Sequence, residues 1–286
     1  MNRENRVLPV LGNRTAPLRV AVLVSATGAN LTTLLQLSKS RPDLLEVVLV
    51  ASDRPRAGAL DVARQAEVTT WPGDFTASCG RWSQCRTDQE RADYRRRARD
   101  FHNRLNERIA DFERREGGID LVVLAYHRWI QGDLLHRFRH RMINQHPGDL
   151  SVLTPDGDRA FIGMDPVGLA LEAGRAATRT STFLVDETED GGPLLALGPE
   201  VPYTGPRPPS REQIDQHELR QKVLSDRPAL VWTIEAIGTG RLAIDEQRRH
   251  ADGSSVVLLD NRSTPLGGHR LGAGAADAPS FGGTRP

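Results

Sequence analysis

The side chains best suited to chemistry lie in segment 141–149, where Asn144 and His146 are separated by a single residue. In an extended chain, residues two apart point to the same side. Pro147 then ends the strand and fixes the backbone behind the histidine. An Asn amide can donate a hydrogen bond to an oxygen that gains negative charge, and a nearby His can shuttle a proton. The pair therefore suggests catalysis, although a lone histidine at a strand end is more often a hydrogen-bonded structural residue.

A second segment, 188–193, places a carboxylate on a glycine-rich turn with the sequence Thr-Glu-Asp-Gly-Gly-Pro. The preceding run, 181–185, is a predicted strand that would deliver this turn to the site. A carboxylate beside an imidazole can orient the ring and raise its pKa, because it stabilises the charged form. We therefore predict that a carboxylate of this turn is the partner of His146.

Alternating strands and helices are predicted to position these groups. Leu18–Val24 is a β-branched, mostly apolar run of the kind found in buried parallel strands, and 46–51 and 119–125 are similar. Helices are predicted after the first two of these strands. This alternation indicates an α/β fold with right-handed crossovers. We expect a Rossmann-like, open, mostly parallel sheet with helices on both faces.

The turn after the first buried strand, 25–30, consists of small and polar residues and leads into a helix. Backbone N–H groups at such a helix start can point at an anion. An ordinary tight turn between strand and helix explains the same residues. The glycine patterns of dinucleotide and ATP sites do not occur here, which counts against both cofactors.

Two further segments stand out between the second and third of these strands. Residues 71–86 predict an extended loop that is longer than usual, either a substrate-facing insertion or surface decoration. Residues 87–115 predict a long helix with one apolar stripe. Its many arginines alternate with acidic residues, which favours a salt-bridged surface over a nucleic-acid-binding one.

The composition excludes several classes of protein. The chain has 286 residues, 38% hydrophobic and 26% charged, with a formal net charge of +1, so nothing draws it to nucleic acid or to an anionic membrane. Its two cysteines cannot form a disulfide framework and match no metal-binding spacing, so we expect no metal. We find neither a signal peptide nor an apolar run of membrane-spanning length. A cytoplasmic location is predicted.

At this point the chain resembles the folate-dependent formyltransferase family, closest to its glycinamide ribonucleotide formyltransferase branch. The resemblance rests on Asn-x-His-Pro and Asp-Gly-Gly-Pro in this order, behind an N-terminal strand–turn–helix unit. It implies an enzyme that uses 10-formyltetrahydrofolate as co-substrate and acts in purine biosynthesis. It also implies that Asn144, His146 and Asp190 are the catalytic residues.

The resemblance further implies where the two substrates bind. The folate pterin would contact two backbone segments, formed by Arg128, Trp129, Ile130 and by Val185, Asp186, Glu187. The phosphate of the acceptor would contact the backbone of Gly28, Ala29 and Asn30. A carboxylate that binds a ribose diol in that branch would correspond to Asp226.

The acceptor side departs from that branch, because Asp165, Val167 and Phe183 stand where it has histidines. The predicted function is therefore formyl transfer to an amine of a small molecule, either like glycinamide ribonucleotide or another biosynthetic amine. Hydrolysis of the same folate and a non-catalytic folate-binding role are the alternatives.

The predicted domain organisation is a lead-in over 1–17, a catalytic domain over 18–260, and a disordered tail over 261–286 that is rich in Gly, Ala and Pro. The expected partners are folate and a small amine, with no nucleic acid and no membrane. The oligomeric state is left open, with a homodimer as one option.

Overall fold

The computed structural model of the chain describes residues 7–10 and 17–272. Its strands are β1 (Val7–Pro9), β2 (Leu18–Val24), β3 (Leu45–Ser52), β4 (Thr69–Pro72), β5 (Leu121–Ala125), β6 (Met142–His146), β7 (Ala177–Thr178), β8 (Ser181–Leu184), β9 (Leu194–Leu197), β10 (Val201–Pro202), β11 (Leu242–Arg249), β12 (Ser255–Leu259), β13 (Arg262–Ser263) and β14 (His269–Arg270). Its helices are α1 (Ala29–Ser40), α2 (Gly58–Gln65), α3 (Phe75–Cys79), α4 (Asp88–Glu116), α5 (Asp133–Arg137), α6 (Pro166–Glu172), α7 (Arg211–Gln221) and α8 (Arg227–Gly238). One π-helical turn, Lys222–Asp226, joins the last two helices.

The centre of the fold is an eight-stranded sheet in the order β14-β9-β8-β6-β5-β2-β3-β4. Only β8 among these described strands runs antiparallel to its neighbours, β6 and β9. The other neighbouring pairs are parallel. The predicted open, mostly parallel sheet is confirmed.

Both faces of this sheet are covered, as the continuous apolar strands require. On β2, Val20 and Val22 belong to a core that includes residues of α1, α2 and α8. The alternate residues, Ala21 and Leu23, belong to a second core that includes residues of α4 and α5. The period of two along the strand thus divides the interior into one core on each face.

The segment between β4 and β5 differs from the prediction at its start. Residues 71–86 contain the end of β4, the short helix α3 and a 3-10 turn, rather than an extended loop. Phe75 and Cys79 of α3 are buried against α4. The long helix is confirmed over nearly its predicted range, and a capping box between Thr87 and Glu90 fixes its first turn.

The two ends of the chain also differ from the prediction where they are described. Val7–Pro9 lies within the predicted lead-in and pairs with β11. Within the predicted tail, β13 pairs with β12 and β14 pairs with β9, and the His269 ring stacks on Trp232 with centroids 4.2 Å apart. Backbone pairing and this stacking order a stretch whose composition predicts disorder. Residues 1–6, 11–16 and 273–286 lie outside the described parts.

Within residues 7–10 and 17–272, no helix combines the length and the apolar character that crossing a lipid bilayer requires.

The packing of α3 can be tested by a pair of aromatic substitutions. Phe75 is 2% exposed and contacts the rings of Tyr94 and Phe101, whereas Trp82, seven residues further on, is 45% exposed. Phe75→Ala should lower the free energy of unfolding by about 3–5 kcal/mol because it leaves a cavity. Trp82→Ala should lower it by about 1 kcal/mol or less. Urea denaturation measures both, and equal losses would contradict the packing described for α3.

Candidate active site

The candidate site forms where β6 and the turn after β8 meet. Strand β6 lies between β5 and β8, with Asn144 beside Leu124 on one side and Phe183 on the other. His146 ends the strand and is 5% exposed, whereas Asn144 is half-buried. The turn 188–193 returns to this strand and brings the Asp190 carboxylate to the His146 ring. The structure therefore unites two segments that the sequence separates by more than forty residues.

Both nitrogens of the His146 ring have partners. Nδ1 lies 3.3 Å from Oδ2 of Asp190, and Nε2 lies 2.6 Å from the carbonyl oxygen of Phe161. A carbonyl oxygen can only accept, so Nε2 carries a proton in this arrangement. Only a second proton, on Nδ1, then makes the contact with the carboxylate attractive. The geometry is suited to a positively charged imidazole.

Burial opposes that charge. It is the largest influence on the pKa of His146 and lowers it, while Asp190 and the hydrogen bond to Phe161 raise it. The net result is a pKa below the ordinary value of 6.5. The carboxylate raises the pKa as the sequence predicts, but desolvation outweighs it. The ring is therefore mostly neutral in the free protein at pH 7.

The backbone conformation and close packing of the turn that carries Asp190 account for its glycines. Asp190 has a φ of 49°, which is uncommon for a residue other than glycine. A Cβ on Gly192 would lie 1.8 Å from the carbonyl oxygen of Leu184, and one on Gly191 would lie 2.1 Å from Oγ1 of Thr188. Only glycine fits at these two positions, and their close packing holds the turn against β8.

The predicted folate-binding residues lie on two segments, one after β5 and one after β8. Arg128 donates from Nε to Oδ2 of Asp53 at 2.7 Å, and its guanidinium stands over the Phe75 ring. Trp129 is 52% exposed, whereas Ile130 is buried in the core. Arg128 and Ile130 anchor the segment, so its backbone and the Trp129 ring are what it can offer to a ligand.

The second predicted folate segment leaves the sheet beside the start of β6. The backbone N–H of Val185 donates to the carbonyl of Met142 at 2.9 Å. The Asp186 side chain accepts from the backbone N–H of Thr188 at 2.8 Å, while Glu187 is exposed. Asp186 therefore shapes the turn that leads to Asp190, and Glu187 faces solvent.

The predicted anion-binding turn begins helix α1. Gly28 precedes its first residue with a φ of 94°, and a Cβ there would lie 2.9 Å from Cβ of Ala59. Ala29 and Asn30 occupy the first turn, whose N–H groups have no partner inside a helix. Ser25 joins this turn to the end of β5 by accepting a hydrogen bond from the N–H of His127 at 2.9 Å.

Basic side chains gather near that turn. The pKa of His127 is lowered by partial burial and by the positive charges of Arg54, Arg128 and Lys222, while Asp53 opposes them. These residues follow the carboxyl ends of β3 and β5, apart from Lys222 in the π-helical turn. This end of the sheet therefore carries the charge that an anionic ligand requires.

Asp226, which is predicted to bind a ribose diol, is buried in the interior. Its carboxylate is buried and accepts a hydrogen bond from Oγ1 of Thr180, and its carbonyl accepts one from Gln145 at 2.8 Å. Burial raises its pKa to about 6. The π-helical turn, a form that often marks functional sites, directs this side chain inward. Among the described residues, the hydrogen bonds of Asp226 join it to Thr180 and Gln145 and not to the turn at Gly28.

Beneath Arg128 lies a group of buried polar atoms without partners among the described residues. It comprises Oδ1 of Asp53, both ring nitrogens of His102 and the hydroxyl of Tyr126. Burial lowers the pKa of His102 to about 4, so the ring is neutral at pH 7. Atoms of this kind are usually hydrogen-bonded to internal water.

Sequence reasoning missed Phe161, which binds His146 through its backbone, and Arg159, which contacts the Asp190 turn. A backbone acceptor leaves no trace in the residue type. The only signal for Arg159 is its position in the loop between the two predicted catalytic segments.

With this geometry established, the chain can be compared with known proteins. The sequence pattern of the family described as formyl transferase matches residues 18–199, more than half of the chain. The chain belongs to the formyl transferase family. The match contains both segments that meet at His146.

Individual relatives are distant. The phosphoribosylglycinamide formyltransferase of Haemophilus influenzae is 24% identical over 239 residues, which cover 83% of this chain and 95% of that protein. The trifunctional purine biosynthetic protein adenosine-3 of Bos taurus is 28% identical over 178 residues, which cover 62% of this chain. Those residues span only 15% of the length of the bovine protein.

Solved structures share the fold. The phosphoribosylglycinamide formyltransferase of Coxiella burnetii superposes with a TM-score of 0.64 at 22% identity, covering 89% of this chain and 99% of that one. The formyltetrahydrofolate deformylase of Burkholderia mallei gives 0.57 at 17% identity, covering 86% and 70%. At these identities the likeness establishes the fold alone, and the same fold occurs in proteins named as transferases and as a deformylase.

The influence of Asp190 on His146 is open to a direct titration. Because the carboxylate raises the pKa of the ring against the effect of burial, Asp190→Asn should lower that pKa further. Glu189→Gln is the matched control, since Glu189 acts more weakly in the same direction. NMR titration of the ring signals measures both, and a higher pKa in Asp190→Asn would contradict the geometry.

Because the Asp226 carboxyl is buried, we predict that the free energy of unfolding falls as the pH rises. Its pKa rises from 3.8 to about 6 on folding, so its stabilising effect is present below pH 3.8 and lost as the pH rises through 6. At pH 8 ionisation costs the folded protein up to about 3 kcal/mol. Asp226→Asn should therefore gain stability relative to wild type as the pH rises from 5 to 8 in urea denaturation. The exposed Asp61→Asn is the control, and a constant difference for Asp226→Asn would show that the carboxyl does not change its charge.

Proposed function

We propose that this protein transfers the formyl group of 10-formyltetrahydrofolate to an amine of a small molecule. The observation that supports this most is the contact between His146 and Asp190 on a strand that also carries Asn144. The three side chains could supply a hydrogen-bond donor, a proton and a counter-charge at one place. Formyl transfer requires each of these as charge collects on the formyl oxygen.

Asn144 would donate a hydrogen bond from its amide to the oxygen that becomes negative. His146 would complete the stabilisation as a cation. Its low pKa in the free protein suits that role, because a neutral ring can take up a proton as negative charge develops nearby. Asp190 would hold that proton, taken up from solvent, on Nδ1. The amine nitrogen would bond to the formyl carbon and lose a proton to Asp190, through water if needed. That proton would pass to the folate nitrogen as its bond to the formyl carbon breaks.

The folate would supply the formyl carbon, and residues of this chain would bind the folate. The backbone around Arg128, Trp129 and Ile130 and that of Val185, Asp186 and Glu187 would bind the pterin. The exposed Trp129 ring offers an apolar surface beside that backbone. Holding donor and acceptor side by side contributes to rate by removing the entropy loss of their encounter.

The acceptor would carry a negatively charged group as well as an amine. The helix start at Gly28 and the nearby basic side chains Arg54 and Lys222 support this part of the proposal. Glycinamide ribonucleotide meets both requirements, and so do other phosphorylated amines. The buried Asp226 would then shape the interior of the site and not contact a ribose directly.

The acceptor side also supports an alternative. Val167 is buried in an apolar cluster, and Asp165 is engaged with Gly168 of its own helix and with Arg211. Few polar groups are therefore left there to select an amine, and water could replace it, which would make the protein a 10-formyltetrahydrofolate hydrolase. The likeness to a deformylase fold is compatible with this second candidate. A non-catalytic folate-binding role is less favoured, because the contact of Asp190 with His146 would then serve no reaction.

A cytoplasmic location belongs to the same proposal. Cys79 and Cys85 are both free, as a reducing compartment would keep them.

The deciding experiment incubates the pure protein with 10-formyltetrahydrofolate and follows the loss of its formyl group. One sample contains glycinamide ribonucleotide, another contains no amine, and others contain a panel of phosphorylated amines. Loss only with an amine supports the transferase, and loss without one supports the hydrolase. The absence of both turnover and folate binding would refute the proposal.

Asn144 provides the matching substitution. Asn144→Ala should lower kcat by about 10²–10³-fold, because one donor to the developing oxyanion is lost. Asn106→Ala, on helix α4, removes an amide from a remote helix and should leave kcat unchanged. Equal activity of the Asn144 variant and wild type would contradict the proposed role.

A further inference from the structure

The turn that carries Asp190 is held from below by one buried guanidinium. Nη1 of Arg159 donates to the carbonyl oxygen of Asp190, and Nη2 donates to that of Gly192 at 2.8 Å. A planar guanidinium presents two separate nitrogens to the two carbonyls in a fixed fork, whereas a lysine offers a single nitrogen. The two acceptors lie on either side of Gly191, so Arg159 fixes the backbone on both sides of the turn's centre.

The same loop also contacts the histidine. Two residues after Arg159, the carbonyl of Phe161 accepts the hydrogen bond from Nε2 of His146. The loop is itself fixed by a bridge between Leu153 and Arg159 and by a hydrogen bond from the N–H of Ala160 to Val152. Residues 159–161 therefore touch both partners of the proposed catalytic pair, Asp190 from one position and His146 from another.

A second residue fixes Arg159. Oδ2 of Asp252 accepts from Nε at 2.9 Å and from Nη2 at 2.7 Å. Its other oxygen accepts from the N–H and the hydroxyl of Ser254, at 3.1 and 2.7 Å. The side chains of Arg159 and Asp252 are 5% and 3% exposed. Burial raises the pKa of Asp252, but the bonds from Ser254 and Arg159 outweigh it and keep the pKa below its ordinary value.

Asp252 comes from a distant part of the chain. It lies in the turn between β11 and β12, beyond residue 199, where the match to the formyl transferase family ends. That turn is closed by its own bonds between His250 and Ser254 and between Gly253 and His250. A structured hairpin outside the family match thus reaches the turn of the proposed catalytic carboxylate through a single arginine.

This contact has a reason in the backbone of Asp190. Its φ of 49° is a conformation that L residues adopt only when the surroundings hold them there. The bonds from Arg159 to the carbonyls of Asp190 and Gly192 supply such a constraint. Without them the turn could relax and move its carboxylate away from Nδ1 of His146.

We infer that Arg159 and Asp252 are positioning residues for the proposed formyl transfer, which set the Asp190 carboxylate against His146 through the backbone of the turn. The inference rests on the proposed function for its effect on turnover. Its effect on the His146 ring does not depend on any substrate.

Two variants test the inference by different routes. Arg159→Lys keeps the positive charge but loses the fork that reaches both carbonyls. Asp252→Asn keeps the shape and the bonds to Ser254 but loses the charge that holds Arg159. Asp260→Asn is the matched control, because Asp260 forms an exposed ion pair with Arg241 at the other end of the same two strands.

The first measurement is NMR titration of the His146 ring in the folded, substrate-free protein. The charge of Arg159 itself lowers the pKa of His146, and both test variants keep a positive charge at position 159. Displacement of the Asp190 carboxylate, which raises the pKa, should therefore lower it in both variants, and the control should leave it unchanged. A purely structural role would lower the melting temperature but not move this pKa. An unchanged pKa in folded Arg159→Lys and Asp252→Asn would overturn the inference, whether or not formyl transfer occurs.

The second measurement is turnover with whichever acceptor supports loss of the formyl group. Both variants should lower kcat by about tenfold and change KM by less than about twofold, because a displaced carboxylate impairs the reaction more than binding. A rise in KM at constant kcat would assign Arg159 and Asp252 to binding and refute the positioning role. If wild type shows no turnover, the proposed function fails, while the titration still decides whether these residues position Asp190.

Discussion

The contact between a buried imidazole and a carboxylate constrains the rest of this structure. At 3.3 Å, Nδ1 of His146 and Oδ2 of Asp190 attract each other only when a proton lies between them. Burial nevertheless keeps the pKa of the ring low. The site thus holds a base whose protonation becomes favourable when further negative charge appears beside it. The protonation of the His146 ring therefore depends more on the charge of a reacting substrate than on the solvent.

The fold provides this contact by reversing one strand. Because β8 runs antiparallel to β6, the chain leaves β8 beside the beginning of β6 and returns through a compact turn to the end where His146 lies. Gly192 in that turn allows it to pack against the carbonyl of Leu184. The parallel strands β2 and β5 bring the anion-binding turn and the predicted folate segment to the carboxyl end of the same sheet. Open α/β sheets place ligands at this end.

The sequence allowed the sheet and the contact between His146 and Asp190 to be predicted because their signals are local. Apolar runs identify buried strands, and a few adjacent residues identify each half of the site. The net pKa of His146 was not predictable, since it depends on how much solvent the whole fold excludes. The ion pair between Arg159 and Asp252 joins residues 93 positions apart, and neither residue is unusual in its own segment. Helix α3 escaped prediction because five residues are too few to show a period.

Asp226 shows how one irregular turn changes a residue's environment. The π-helical turn alters the direction of the side chains that follow α7, and it places this carboxyl beside Thr180 in the interior. A correspondence by position along the chain cannot show that the helix contains a π-helical turn, and so it cannot predict where the Asp226 side chain lies.

The pairing of Asp252 with Arg159 also affects which segment of this chain could fold with an intact site when fused to another protein. Residues 18–199 contain the proposed catalytic trio, yet helix α8 covers one face of their sheet, and Leu230 and Ile234 of α8 are fully buried there. A fusion that carried only that segment would leave an apolar surface bare and the Asp190 turn without its external support. The smallest transferable unit therefore extends at least through β12. A fusion that is to retain the proposed activity would have to keep the C-terminal hairpin with the site.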